Sequence, residues 1–173
     1  MVARRGRAAP ECRFAALAAC RTARTLGIRK APLQVETVSR HLVAHGSIVL
    51  FAALLFGAPY AKAIKRNAEA QVVNSWRVAH QSLTIGALVL FAAASLMSGL
   101  AVSTGMKWAI AFPLIVSAYA FTMSTPLAAV TRDRGLSAGA KGLAGLVYIG
   151  NVVGAVTSLV GSALLVIAAV LSL

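Results

Sequence analysis

The side chains of this sequence best suited to chemistry are few: His41, His45, His80, Tyr119, Tyr148 and Asn151, each in or at the edge of a long apolar run. A polar or ionisable group in such surroundings is costly and marks function by default. His41 and His45 are four residues apart and so share one helix face. They could share a metal, but the apolar runs offer no Asp, Glu or Cys to complete the roughly four donors that a protein-only site wants. The other reading is a pair of histidines at an interfacial helix end, with His45 as a candidate pocket edge. His80 follows Trp76 and Arg77, which have the character of interface anchors, and enters an apolar stretch with Gln81, Ser82 and Thr84 close by. A single neutral imidazole there could bond to a neighbouring helix or serve as one axial ligand to a haem. A covalently attached c-type haem is excluded, since no CxxCH motif is present. Tyr119 could donate a hydrogen bond into a cavity or bond a backbone carbonyl. Asn151 could edge a pocket or join two helices.

These residues must be positioned by elements built for lipid. Hydrophobic residues make up 59% of the 173 and charged ones 12%, against about 25% charged in a soluble domain. The formal net charge is +13, yet Arg4, Arg5, Arg7, Arg13, Arg21, Arg24, Arg29, Lys30 and Arg40 all fall near the start. The other basic residues flank the apolar runs. The charge is therefore a terminal segment plus loop flanks, with no nucleic-acid-binding motif beside it, and nucleic acid is not an expected partner. Cys12 and Cys20 make neither a disulfide framework nor a metal site.

Residues 1–37 read as a basic leader, set apart from the fold. It suits a targeting presequence, an extension from an early start codon, or an arm lying on anionic lipid. Residues 38–173 read as one all-α membrane domain, a four-helix transmembrane bundle with spans at about 41–60, 78–102, 106–130 and 141–173. Each span holds close to the ~20 apolar residues that cross a bilayer, and a bilayer leaves such runs no choice but helix. Residues 61–77 are expected to be a solvated basic loop, and Ser103-Thr104-Gly105 a tight turn. Gly150, Gly154, Ser158 and Ser162 recur every four residues and offer a smooth face for close helix approach. Pro113 and Pro126 each remove a backbone donor from the third span. Four spans without a repeat or a charged pathway do not suggest a transporter. Counting or ignoring the leader reverses the positive-inside orientation, so the topology is left open.

The assembled motifs resemble those of the membrane-bound styrene oxide isomerases. The residues are Ala44-His45-Gly46, Leu54-Leu55-Phe56-Gly57, Trp76 with Ala79-His80, and Tyr119-Ala120-Phe121-Thr122-Met123-Ser124-Thr125-Pro126. The resemblance covers about residues 40–170. It implies that His80 is the axial ligand of a b-type haem, that Tyr119 lines the substrate pocket, and that the protein is a homotrimer. It further implies an intramolecular isomerase that rearranges a small apolar aryl epoxide to a carbonyl, placed in a bacterial inner membrane. Two positions depart from the family pattern: its pocket asparagine is matched by Gly86, and its aspartate eight residues before the tyrosine by Ala111. The chain is also similar to the hydroxylaminobenzene mutases, where the spacing from Trp76 to His80 favours the isomerase side. An aryl hydroxylamine mutase and a non-catalytic membrane protein are the competing functions.

Overall fold

The computed structural model describes residues 36–132 and 141–173. Residues 1–35, with Cys12 and Cys20 and most of the expected leader, lie outside the described residues, as do Asp133 and Arg134. The unit Val35–Leu173 holds four helices: α1 Thr37–Lys65, α2 Ala70–Leu96, α3 Thr104–Thr131 and α4 Leu143–Leu171. All four are long and apolar enough to cross a membrane. No strand occurs among the described residues. The all-α, four-span architecture is as the composition demands.

The helix ends differ from the sequence expectation. Residues 61–65 continue α1 and residues 70–77 already belong to α2, so the first loop shrinks to residues 66–69. Lys62, Lys65 and Arg77 sit on exposed helix ends rather than in a loop. Hydropathy marks where the hydrocarbon ends, whereas a helix continues until its hydrogen bonding is interrupted. Here Asn67 takes a positive φ of 48° just after the last turn of α1. The second difference is the hairpin turn. α2 stops at Leu96, where the Gly99 N–H closes a turn onto the Leu96 carbonyl at 3.0 Å. Ser103 is not part of that tight turn but the cap of α3, its hydroxyl accepting the Met106 N–H at 3.3 Å. A serine in that position satisfies one of the amides that every helix start leaves open.

α1 packs along α2, and α3 packs against α2, α1 and α4. Among the described helices α4 packs on α3 alone. The core is made of small and branched residues that let backbones approach: Val38, Leu42, Val49 and Ala53 from α1, Leu83, Ala87 and Leu90 from α2, Ile110, Ala111 and Leu114 from α3. Large apolar side chains such as Phe112, Leu159 and Val170 are exposed, as lipid-facing residues should be. Interhelical hydroxyls tie the helices where carbon alone would not. Ser39 donates to the Ala94 carbonyl at 3.0 Å, and Ser117 to the Gly154 carbonyl at 2.8 Å.

One ionic contact fixes the α1 start to the α3 start. Lys107 is only 8% exposed and its ammonium lies 3.1 Å from the Glu36 carboxylate. Removing one partner strands the other charge, and the more buried partner suffers more. Glu36→Gln should therefore lower stability by about 1–3 kcal/mol, and Lys107→Met by less. Thermal melts of the two proteins in detergent decide the order. Equal melting temperatures would show that water reaches the ammonium.

Candidate functional site

The structure brings four of the candidate side chains, His41, His45, His80 and Tyr119, into defined contacts. His80 sits on α2 in its eleventh position, and its Nδ1 lies 2.8 Å from the Ala53 carbonyl oxygen of α1. A carbonyl can only accept, so Nδ1 carries the proton and donates. The imidazole is neutral in that arrangement when Nε2 holds a lone pair. The ring is flanked by Gly57, where an added Cβ would lie 3.5 Å from His80 Cε1 and Nδ1. Tyr60 stacks on it with centroids 6.3 Å apart. Trp76 lies one turn earlier on the same face of α2 and packs on Phe56 at 6.2 Å.

Phe56 and Trp76 form one wall of an apolar cleft of about 620 Å³. Its floor is the second half of α3, including Met123, Ser124, Pro126 and Leu127, and its far wall is Leu146, Ile149, Gly150 and Val153 of α4. The cleft exists because α4 leans on α3 alone and leaves a gap beside α1 and α2. Its size falls within the range of small-molecule sites. Ser124 is 1% exposed, and its hydroxyl is a buried group without a hydrogen-bond partner in the protein. In the sequence nothing but its place in the segment from Tyr119 to Pro126 marks Ser124. Hydroxyls of this kind have no sequence signal of their own.

Tyr119 points elsewhere. Its hydroxyl lies 2.9 Å from His45 Nδ1, and the two rings meet edge to face at 5.6 Å and 85°. His41 stacks on His45 at 6.1 Å and meets Trp108 at a tilt of 58° with centroids 5.1 Å apart. His45 and Ala53 are eight residues apart on α1, so the Tyr119 and His80 contacts meet that helix about 12 Å apart along its axis. Within one chain the haem-ligand candidate His80 and the pocket candidate Tyr119 therefore stand at separate levels of the bundle. Among the described residues no third His, Cys, Asp or Glu joins the histidine pair. Asn151 lines a second, smaller cleft of about 360 Å³ with Asn74, Ser75, Val78, Thr125 and Ala128. Tyr148 takes part in neither histidine contact.

The two departures differ in kind. A Cβ at Gly86 would meet nothing within 4 Å, whereas Ala111 is fully buried in the core. Gly86→Asn is therefore expected to leave the melting temperature in detergent unchanged or higher. Ala111→Asp puts a carboxylate among carbon atoms and should cost about 2.5–3.5 kcal/mol. A stable Ala111→Asp protein would mean that a polar neighbour can turn towards position 111.

A family model described as styrene oxide isomerase matches residues 38–170. No curated protein matches the chain.

Proposed function

The chain belongs to the styrene oxide isomerase family, and from that premise we propose that it isomerises small apolar aryl epoxides to carbonyl compounds with the help of haem b. The observation that carries the proposal is the His80 hydrogen bond. With Nδ1–H held on the Ala53 carbonyl at 2.8 Å, the ring is oriented and Nε2 keeps its lone pair. Metal-ligating histidines are prepared in this way by their outer partners. The donor set thus fits haem, with His80 as the axial ligand.

Haem iron held there would supply a Lewis acid for the epoxide oxygen. The protein's own part is binding, orientation and exclusion of water. Phe56 and Trp76 offer aromatic faces, and Met123, Leu127 and Val153 offer aliphatic walls in the same cleft. Water reaching the ring-opened substrate would capture its positively charged carbon as a diol. An apolar cleft that opens toward lipid concentrates an apolar substrate and keeps that water away. The reaction shifts a hydride from one carbon of the opened ring to the next, so it needs no carboxylate pair, and the spans contain none. Tyr119 is assigned a positioning hydroxyl near the substrate oxygen. Its distance from His80 along α1 fits a site shared between copies of the chain, in keeping with the trimer that the resemblance implies. A bacterial inner membrane is the proposed location.

The test uses purified protein in detergent supplied with haem. The expected result is a Soret band together with conversion of styrene oxide to phenylacetaldehyde, slowed when the iron is reduced. Protein that binds no haem and leaves the epoxide untouched would overturn the isomerase reading in favour of a non-catalytic membrane protein.

A further inference from the structure

His45 and Tyr119 share one hydrogen bond of 2.9 Å between Nδ1 and the phenol oxygen. The phenol has a single proton. If that proton is given to Nδ1, the Tyr119 hydroxyl can only accept from any other group. If Nδ1–H is the donor, the phenol proton is free to point at something else. A protonated imidazole carries N–H on both nitrogens and must donate. In the neutral ring the opposite arrangement is favoured, because a phenol is a far stronger acid than an imidazole N–H.

We propose that His45 is a positioning residue for Tyr119, whose charge state decides whether the Tyr119 hydroxyl can donate a hydrogen bond to the oxygen of a bound substrate. The proposal rests on the reading above that Tyr119 serves the substrate.

The surroundings allow the proton in and out. His41 lies one turn nearer the start of α1, is exposed, and stacks on His45 with an interplanar angle of 22°. Its exposed ring, near the start of α1, gives the pair a route for the proton to leave the bundle. Arg40, also on α1, is exposed. From α3 the neighbours are Trp108, which does not titrate, and Lys107, whose charge is paired with Glu36 at 3.1 Å. From α2 the groups at this level are Leu90 and Phe91, which close on Gly46. α4 makes no packing contact with α1.

The sign follows. As pH falls and His45 gains a proton, the Tyr119 proton is released to the substrate and the rate rises. As pH rises, Tyr119 is held by His45 and the rate falls. Protein labelled with ¹⁵N at histidine reads the switch without any substrate. His45 Nδ1 should resonate as a lone-pair nitrogen at high pH and as a protonated one at low pH. His80 Nδ1, which donates to a carbonyl, should stay protonated throughout and serves as the internal reference. In the haem-loaded enzyme Tyr119→Phe should lower the rate about a hundredfold. His45→Leu removes the acceptor, so the Tyr119 proton is free at every pH and the rate should stay near its low-pH value with the pH dependence gone. His45→Asn keeps a polar partner that does not titrate and should likewise show no pH dependence. Both His45 variants should keep the Soret band, which separates this effect from cofactor loss. A His45 Nδ1 that stays protonated at every pH, or a His45→Asn enzyme with the wild-type pH profile, overturns the proposal. If no epoxide is turned over at all, the isomerase reading fails and the nitrogen resonances alone decide the role of His45.

Discussion

His80→Ala should abolish most of the Soret band of protein reconstituted with haem. Loss of the donor atom itself should weaken binding by more than the roughly 10–100-fold that follows from removing an outer partner of a ligand. His45→Ala should bind haem nearly as wild type, because its Nδ1 is engaged with Tyr119 at 2.9 Å and lies at a different level of α1. The carbonyl that orients His80 belongs to the backbone of Ala53 and cannot be removed by a side-chain change, but Gly57 offers a graded alternative. A Cβ there would touch the His80 ring at 3.5 Å, an ordinary contact, so Gly57→Ala should retain haem. Gly57→Leu must displace the ring and should weaken haem binding without removing the ligand. A titration of the three variants with haem, followed at the Soret maximum, separates these cases. Equal affinity in His80→Ala and wild type would move the cofactor to another residue and remove the main support for epoxide chemistry.

The four membrane helices were legible because lipid removes the alternatives: an apolar run of the right length has to be helical. Their ends were not. Lys62, Lys65 and Arg77 look like loop residues by charge, yet a helix can project beyond the hydrocarbon and carry them on its exposed end. The candidate residues were legible by type and only partly by role. For His80 the sequence allowed a bond to a neighbouring helix or a bond to haem iron. The two readings do not exclude one another, since the Ala53 carbonyl engages only one of the two ring nitrogens. The partnership of His45 with Tyr119 joins residues 74 apart in sequence. Periodicity says which face of a helix a residue occupies, and nothing about which helix stands opposite. The same limit explains why the apolar cleft beside Phe56 and Trp76 was not foreseen. It arises from α4 packing on α3 alone, which no local pattern encodes.

Gly154→Leu should be among the most damaging single changes in the protein, and the reason lies within one chain. The expected smooth face followed a four-residue spacing through Ser158 and Ser162, but Ser162 is exposed. The buried positions of α4 are Val147, Gly154, Gly161 and Ala168, a repeat of seven. A spacing of four drifts around a helix of 3.6 residues per turn, while seven returns close to the same face. On this seam a Cβ at Gly154 would lie 2.8 Å from Phe121 Cζ, and one at Gly161 would lie 2.8 Å from Leu114 Cδ2. Phe121 can rotate away from a methyl group, but not from an isobutyl group without lifting α4 off α3. No other described helix would then hold it, since among the described helices α4 packs on α3 alone. The Ser117 bond to the Gly154 carbonyl would be lost with the seam. Overpacking of this kind costs about 3 kcal/mol, which should appear as a lower melting temperature in detergent. Gly86→Ala is the matched control, a glycine-to-alanine change inside a helix where the new Cβ meets nothing within 4 Å. It should melt no lower than wild type, because alanine is the better helix former by about 1 kcal/mol. If Gly154→Leu melts like the control, the glycine face of α4 looks at lipid, and the cleft that α3 and α4 enclose loses its far wall.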